Sequence, residues 1–163
     1  MKTIDIYGDN RFEKYTKIRE ACRGIIVSED EILLSYEVNN DQWFIPGGGI
    51  EEKESLEICC IREVAEETGY VVDTGERYLT INEYYEEVLW INHYFVCDCI
   101  GETERKLTPR ETIAGLEARW IPLKEAIEIF SKHQEYATEN ETKRGGYFRE
   151  YTALSEYLAK KEK

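Results

Sequence analysis

The sequence predicts an α/β fold in which a mixed β-sheet lies between helices. Runs rich in β-branched and aromatic residues stand at 15–28, 32–36, 71–86 and 88–99. Segments with helical spacing stand among and after them, at 55–69, 122–131 and 146–160. The two kinds of element are interleaved along the chain, so strands and helices must pack on one another.

Taken in order, residues 15–28 form a long strand, Glu29-Asp30 a turn, and Ile32–Tyr36 the second arm of a hairpin. Trp43-Phe44-Ile45 is a short strand ended by Pro46, and Gly47-Gly48-Gly49 then make a loop with conformations closed to other residues. Ser55 is an N-cap and Gly69 a C-terminal stop for the helix between them, with Ile58, Ile61 and Ala65 expected on its core side. Residues 71–86 and 88–99 read as long strands, and Ala118–Ile121 as a short one. A helix starts at Pro122, suited to a first turn, and runs to Ser131. Gly145-Gly146 are expected to precede a last helix through about Lys160, with Tyr147, Tyr151, Leu154 and Leu158 in one stripe. No repeat, low-complexity stretch or linker divides the chain, so residues 1–163 are expected to form one domain.

A chain of 163 residues buries roughly 70% of its unfolded surface, enough for a core without staples. The net charge of −13 argues against nonspecific binding to nucleic acid backbones, which needs basic patches. Five cysteines, Cys22, Cys59, Cys60, Cys97 and Cys99, show no CxxC or Cys/His ligand spacing. They are expected as buried small hydrophobes in a reducing cytoplasm. Met1–Asn10 has no apolar leader segment, and no run approaches the ~20 apolar residues of a membrane span.

Much of the acidity is local. Between Gly48 and Tyr70 seven glutamates face only Lys53 and Arg62. Glu63, Glu66 and Glu67 fall within one arc of the helix at i, i+3 and i+4. Like charges at that spacing repel by roughly 0.2–0.5 kcal/mol, and carboxylates in a C-terminal turn oppose the helix dipole by roughly 0.3–1 kcal/mol each. A hard divalent ion, which takes oxygen ligands, would relieve that crowding.

These residues also carry a family resemblance. Gly48, Glu54, Arg62-Glu63-Val64, Glu66-Glu67, Gly69 and Tyr70 stand at the spacing of the Nudix box, Gly-x5-Glu-x7-Arg-Glu-U-x-Glu-Glu-x-Gly-U with U a bulky aliphatic residue. Every fixed position is present. Tyr70, aromatic where an aliphatic residue is usual, is the one departure and bears on core packing. Trp43-Phe44-Ile45-Pro46 and Arg119-Trp120-Ile121-Pro122-Leu123 are similar to the family's flanking patterns.

The resemblance to the Nudix hydrolase family implies an α/β/α sandwich. It also implies hydrolysis of a nucleoside diphosphate linked to another moiety: a nucleoside triphosphate, nucleotide sugar, ADP-ribose or dinucleoside polyphosphate. Water activated by Mg²⁺ or Mn²⁺ would attack phosphorus in line. Carried onto this chain, Glu63, Glu66, Glu67 and the carbonyl of Gly47 would hold the metal, with Arg62 and Glu54 orienting the glutamates. The proton acceptor is open: Glu67 or Glu63 in the box, or Glu111 or Glu117 from a later loop, with Glu117 named as the loop candidate. Lys17, Arg19 and Arg23 share one strand face, and Arg19 and Arg23 are candidates to meet substrate phosphates. Tyr84, Tyr85, Trp90 and Tyr94 stand where a base could stack, whereas His93 lacks a partner at ligand spacing and is expected to be structural.

The partner is thus a small nucleotide-type diphosphate in the cytoplasm, with no nucleic acid and no membrane. Many proteins of the resembled family are homodimers, and no pattern here identifies an interface. The fold also serves non-catalytic nucleotide- or ADP-ribose-binding modules, in which box glutamates are often lost; all three stand here beside Arg62. An isoprenoid isomerase-like enzyme would need a catalytic cysteine and glutamate in other places. No signature of the coenzyme A or NADH pyrophosphatase subfamilies accompanies the box.

Overall fold

A computed structural model describes residues 1–163. The elements are β1 (Lys2–Tyr7), β2 (Lys17–Ser28), β3 (Glu31–Glu37), β4 (Gln42–Phe44), β5 (Gly47–Gly49), α1 (Leu56–Thr68), β6 (Tyr70–Tyr85), β7 (Val88–Glu102), α2 (Pro109–Ala114), β8 (Leu116–Pro122), α3 (Leu123–Ser131) and α4 (Glu141–Lys161). The strands form one mixed sheet along the path β1-β6-β7-β2-β3-β4, with β5 paired to β2 and β8 to β3. β1 lies parallel to β6, and β2 parallel to β7; the other pairings are antiparallel.

Strand alternation divides the interior into two cores, one on each face of the sheet. On β3, Ile32 and Leu34 enter the core that α3 and α4 cover with Phe130, Tyr147, Leu154 and Tyr157. Leu33 enters the other, which α1 covers with Cys59, Cys60 and Val64. This is the expected α/β/α sandwich. No helix is long and apolar enough to cross a membrane.

Several expectations are corrected. Gly47–Gly49 is a short strand, because its backbone completes the β2 edge opposite Arg23, Cys22 and Ala21. Gly145 and Gly146 lie inside α4, whose N-cap is Asn140, with a side chain that accepts from the Lys143 amide at 3.0 Å. A Cβ at position 145 would stand 3.3 Å from the Tyr85 hydroxyl, so the glycine serves close packing of helix on sheet. Cys99 is exposed, unlike the other four cysteines, because the end of β7 outruns the helix that covers it. Residues 2–7 and 109–114 form β1 and α2, elements absent from the sequence reading.

Candidate active site

α1 begins where expected, with Ser55 Oγ accepting from the Ile58 amide at 3.2 Å, and ends at Gly69 in the left-handed region, φ 76°. Its buried face is Cys59, Cys60, Val64 and Thr68, whereas Ile58 is 57% exposed. The cysteines replace the isoleucine as core residues because the Cys60-Val64-Thr68 stripe, not Ile58, points at the sheet. The acidic arc lies on the remaining surface.

Arg62 gathers that arc. Its Nε and Nη2 donate to the two oxygens of Glu54 at 2.6 and 2.9 Å, a planar fork on a carboxylate. Nη1 donates to Glu63 Oε1 at 2.8 Å and to Glu66 Oε2 at 3.3 Å, and Nη2 also reaches the Gly49 carbonyl at 3.0 Å. The guanidinium holds the Glu54 carboxyl down at about 2. Burial raises Glu63, against the pull of Arg62.

Glu67 stands apart from this group. Ser35 Oγ and the Gly47 amide both donate to its Oε2, at 3.0 and 3.2 Å. One edge opens on a cavity, but protein surrounds the carboxyl otherwise, and desolvation pushes it up to about 8 against the pull of Arg23 and the Gly47 amide. That cavity measures about 160 Å³, and Arg23, Glu37, Arg110 and Glu111 also line it. A second of about 370 Å³ shares Arg23 and Phe44 with it, so the two adjoin. A larger depression of about 610 Å³ among Tyr7, Phe12, Tyr15 and Tyr84 holds no box residue and shares only Glu86 with the second cavity.

The three box carboxylates do not close on a single point: no three acidic, imidazole or thiol groups are gathered as ion ligands. Arg62 draws Glu63 and Glu66 to itself, and Ser35 with Gly47 draws Glu67 inward. The groups nonetheless suit a hard divalent ion. All donors are oxygen, they lie within two turns of one helix, and Gly48 leaves open a space that a Cβ would fill against the Glu63 carboxylate. Gly47 meets Glu67 through its amide.

The other candidates separate clearly. Arg23 lines both cavities, donating from Nε to Asn92 Oδ1 and from Nη1 to the Ile45 carbonyl, both at 3.1 Å. Arg19 is exposed and lines neither cavity, because the cleft opens beside the middle of β2 and Arg19 stands a full pleat before it. Glu117 does not line the Glu67 cavity either. It lies on the opposite face of β8 from the buried Leu116 and is held by Arg119 at 2.6 Å, away from Glu67. Glu111 lines the Glu67 cavity, placed by a capping box in which its Oε1 accepts from the Thr108 amide at 2.9 Å. His93 is buried and lines neither cavity, with Nδ1 3.1 Å from Thr80 Oγ1 and Nε2 2.6 Å from Glu20. Tyr94 is core, and its hydroxyl donates to Glu150 at 2.6 Å; Tyr85 and Trp90 line the larger of the two adjoining cavities, that of about 370 Å³ (hereafter the larger cavity).

One buried network escaped the sequence reading. Glu150 on α4 accepts from Tyr94, from Arg149 Nε at 3.0 Å and from the Ile45 amide. Burial would raise its carboxyl, but Arg149 and Arg23 outweigh that and hold it low. Arg23 and Glu150 thereby grip both polar groups of the Ile45 peptide just before Pro46-Gly47, which aims Gly47 at Glu67. The glycine pair in α4 was the available signal for this close helix–sheet contact.

The family model described as the NUDIX domain matches residues 18–141. Among curated proteins, diphosphoinositol polyphosphate phosphohydrolase 3-alpha of Mus musculus is 31% identical over 108 residues, covering 65% of this chain and 63% of that one. The chain therefore spans less than two thirds of that relative's length. Among solved structures, a MutT protein from Methanosarcina mazei superposes with a TM-score of 0.61 at 22% identity, covering 93% of this chain and 99% of that one. A mutator MutT protein from Bacillus halodurans gives a TM-score of 0.56 at 26% identity, over 68% and 72% of the two chains.

Proposed function

This chain belongs to the NUDIX family, and from that premise we propose that it hydrolyses the pyrophosphate bond of a nucleoside diphosphate linked to another moiety, with Mg²⁺ or Mn²⁺ as cofactor. One observation carries the reading. A single guanidinium, Arg62, holds Glu54, Glu63 and Glu66 together, and the next carboxylate of the same helix, Glu67, lines a cavity with Arg23 and Glu111.

Glu63, Glu66, Glu67 and the Gly47 carbonyl would hold the ion, once Glu63 and Glu66 turn part of their charge from Arg62 toward it. The ion, when bound, offsets the charge of the phosphate oxygens and lowers the pKa of water. Arg62, fixed by its fork on Glu54, sets the direction of the two carboxylates it touches. Arg23, already oriented by Asn92 and Ile45, presents its charge where the two cavities meet and binds the diphosphate there. Water attacks phosphorus, the bridging P–O bond breaks, and Glu111 accepts the water's proton within the same cavity as Glu67.

The reading is tested by phosphate release from nucleoside triphosphates, ADP-ribose, nucleotide sugars and dinucleoside polyphosphates, coupled to a phosphatase where the product is a monophosphate. Turnover is expected with Mg²⁺ or Mn²⁺ and is expected to vanish in EDTA. Silence across the whole panel with both ions would overturn it.

The choice of proton acceptor has its own test. Glu111→Gln is expected to lower kcat by roughly 10²-fold, the scale of general-base catalysis. Glu117→Ala should leave kcat within about twofold, since surface charges away from a site contribute little. Near-normal kcat in both variants would return the role to a box glutamate, and a loss confined to Glu117→Ala would give it to Glu117.

A further inference from the structure

The larger cavity carries information about the substrate that the box does not. Phe44, Tyr85 and Trp90 supply its aromatic surface, and Arg23 joins it to the cavity of Glu67. Its volume of about 370 Å³ is that of a small-molecule site. On its wall stands Glu83 of β6, only 3% exposed. Glu83 spends one oxygen, Oε2, which accepts from Asn92 Nδ2 at 3.1 Å and faces Arg149 Nη1 at 3.5 Å. Its other oxygen makes no hydrogen bond within the protein and keeps access to the cavity, so it is free to accept from a ligand donor there.

The charges narrow the occupant further. The cavity's cations are Arg23 and Arg149, and Arg149 is already shared between Glu150 and Glu83. Against them stand Glu83, Glu86 and Glu141. Arg144 already forks Glu141 at 2.6 and 2.8 Å, so an inositol polyphosphate, the substrate type in the name of the mouse relative, would bring a cluster of phosphates to a wall with Glu83 and Glu86 on it and few arginines free to fork them. A flat, uncharged ring with an amino donor on its edge meets both requirements, stacking on the aromatic side chains and donating to the open oxygen.

The geometry points to Glu83 as the residue that selects an amino-bearing nucleobase, that of adenine, guanine or cytosine, in the larger cavity. This inference rests on the hydrolase reading for the placement of the diphosphate between Arg23 and Glu67. Uracil is disfavoured, because its edge N–H is flanked by two carbonyl oxygens that a carboxylate repels.

Binding of nucleoside 5′-monophosphates to the whole protein in EDTA, read by calorimetry and by the change in tryptophan fluorescence that Trp90→Phe removes, tests the inference apart from hydrolysis. AMP, GMP or CMP is expected to bind at least about tenfold more tightly than UMP, a ratio typical of a lost polar contact. In Glu83→Gln, whose amide both donates and accepts, the ratio is expected to fall to within about twofold as UMP improves. Equal binding of all four nucleotides to the wild type would overturn the inference, as would inositol hexakisphosphate binding more tightly than any of them. An equal weakening of every nucleotide in Glu83→Gln would do the same, since it marks a structural effect. Should the variant not fold, the wild-type panel alone decides. Metal-dependent hydrolysis without base preference would sink this inference and leave the hydrolase; base-selective binding without hydrolysis would do the reverse.

Discussion

Glu67→Gln is expected to remove nearly all hydrolysis while leaving the fold at least as stable as the wild type. A bound ion supplies several kcal/mol of charge stabilisation in the transition state, and each ~1.4 kcal/mol is tenfold in rate. Losing one ligand oxygen should therefore lower kcat/KM by roughly 10²–10³-fold. The amide fits the same space, and its oxygen still accepts from Ser35 Oγ and the Gly47 amide. Stability adds a second readout. Desolvation lifts the Glu67 carboxyl from 4.5 to about 8, so the folded metal-free protein holds this proton more tightly than the unfolded chain. That contribution is complete below about pH 4.5 and is lost as pH rises through about 8, at up to ~1.4 kcal/mol per pH unit. In EDTA the Tm of the wild type should fall relative to the variant between pH 5 and pH 8. Adding Mg²⁺ at pH 8 should raise the wild-type Tm and leave the variant's nearly unmoved. Parallel Tm curves in EDTA, or near-normal turnover by the variant, would sink the assignment of Glu67 to the ion.

Why some of this was legible in the sequence and some was not follows from how far apart the interacting residues lie. The ends of α1 were readable because Ser55 and Gly69 act on their own helix termini. Arg62 with Glu54, Glu63 and Glu66 was readable because the whole clamp fits between a strand end and one helix. The buried face of α1 was not, since Ile58 outranks Cys60 in apolarity and only the sheet decides which one it meets. Gly145-Gly146 read as the lead into the last helix, but the ring of Tyr85, sixty residues earlier in the chain, gives Gly145 its reason inside that helix. The different places of Glu111 and Glu117 hid in two local signals. Thr108 and Glu111 form a capping box, and Glu117 alternates with the core residues Leu116 and Ala118. Glu83, Arg149 and Glu150 were beyond reach, because β6, β7, β2 and α4 meet there only through the parallel register of β2 on β7 and the docking of α4.

Arg62→Ala is expected to cost both stability and activity, and pH separates the two causes. The guanidinium, with its side chain 20% exposed, is the partner of Glu54 at 8%, Glu63 at 16% and Glu66 at 32%. Removing it leaves three carboxylates facing one another with no cation between them. Breaking a buried pair from one side costs about 3–5 kcal/mol, and the partial exposure here brings the expectation to roughly 2–4 kcal/mol by urea denaturation at pH 7. Arg62 depresses the Glu54 carboxyl from 4.5 to about 2, so the stabilisation is fully present above about pH 4.5 and is lost as pH falls through about 2. The gap between wild type and variant should accordingly narrow from pH 7 to pH 3, whereas a loss due to packing alone would stay constant. Arg62→Lys retains the charge but not the two-oxygen fork on Glu54, and should recover part of the stability and less of the activity. Turnover in Arg62→Ala should fall by roughly 10–100-fold, the scale of losing a group that orients ion ligands. High Mg²⁺ should restore stability to the alanine variant more than to the wild type, since the ion then supplies the charge that the three carboxylates lack. Were Mg²⁺ to leave the variant's Tm unmoved, the acidic arc of α1 would be a surface held together by one arginine, and not an ion site that the arginine keeps in order.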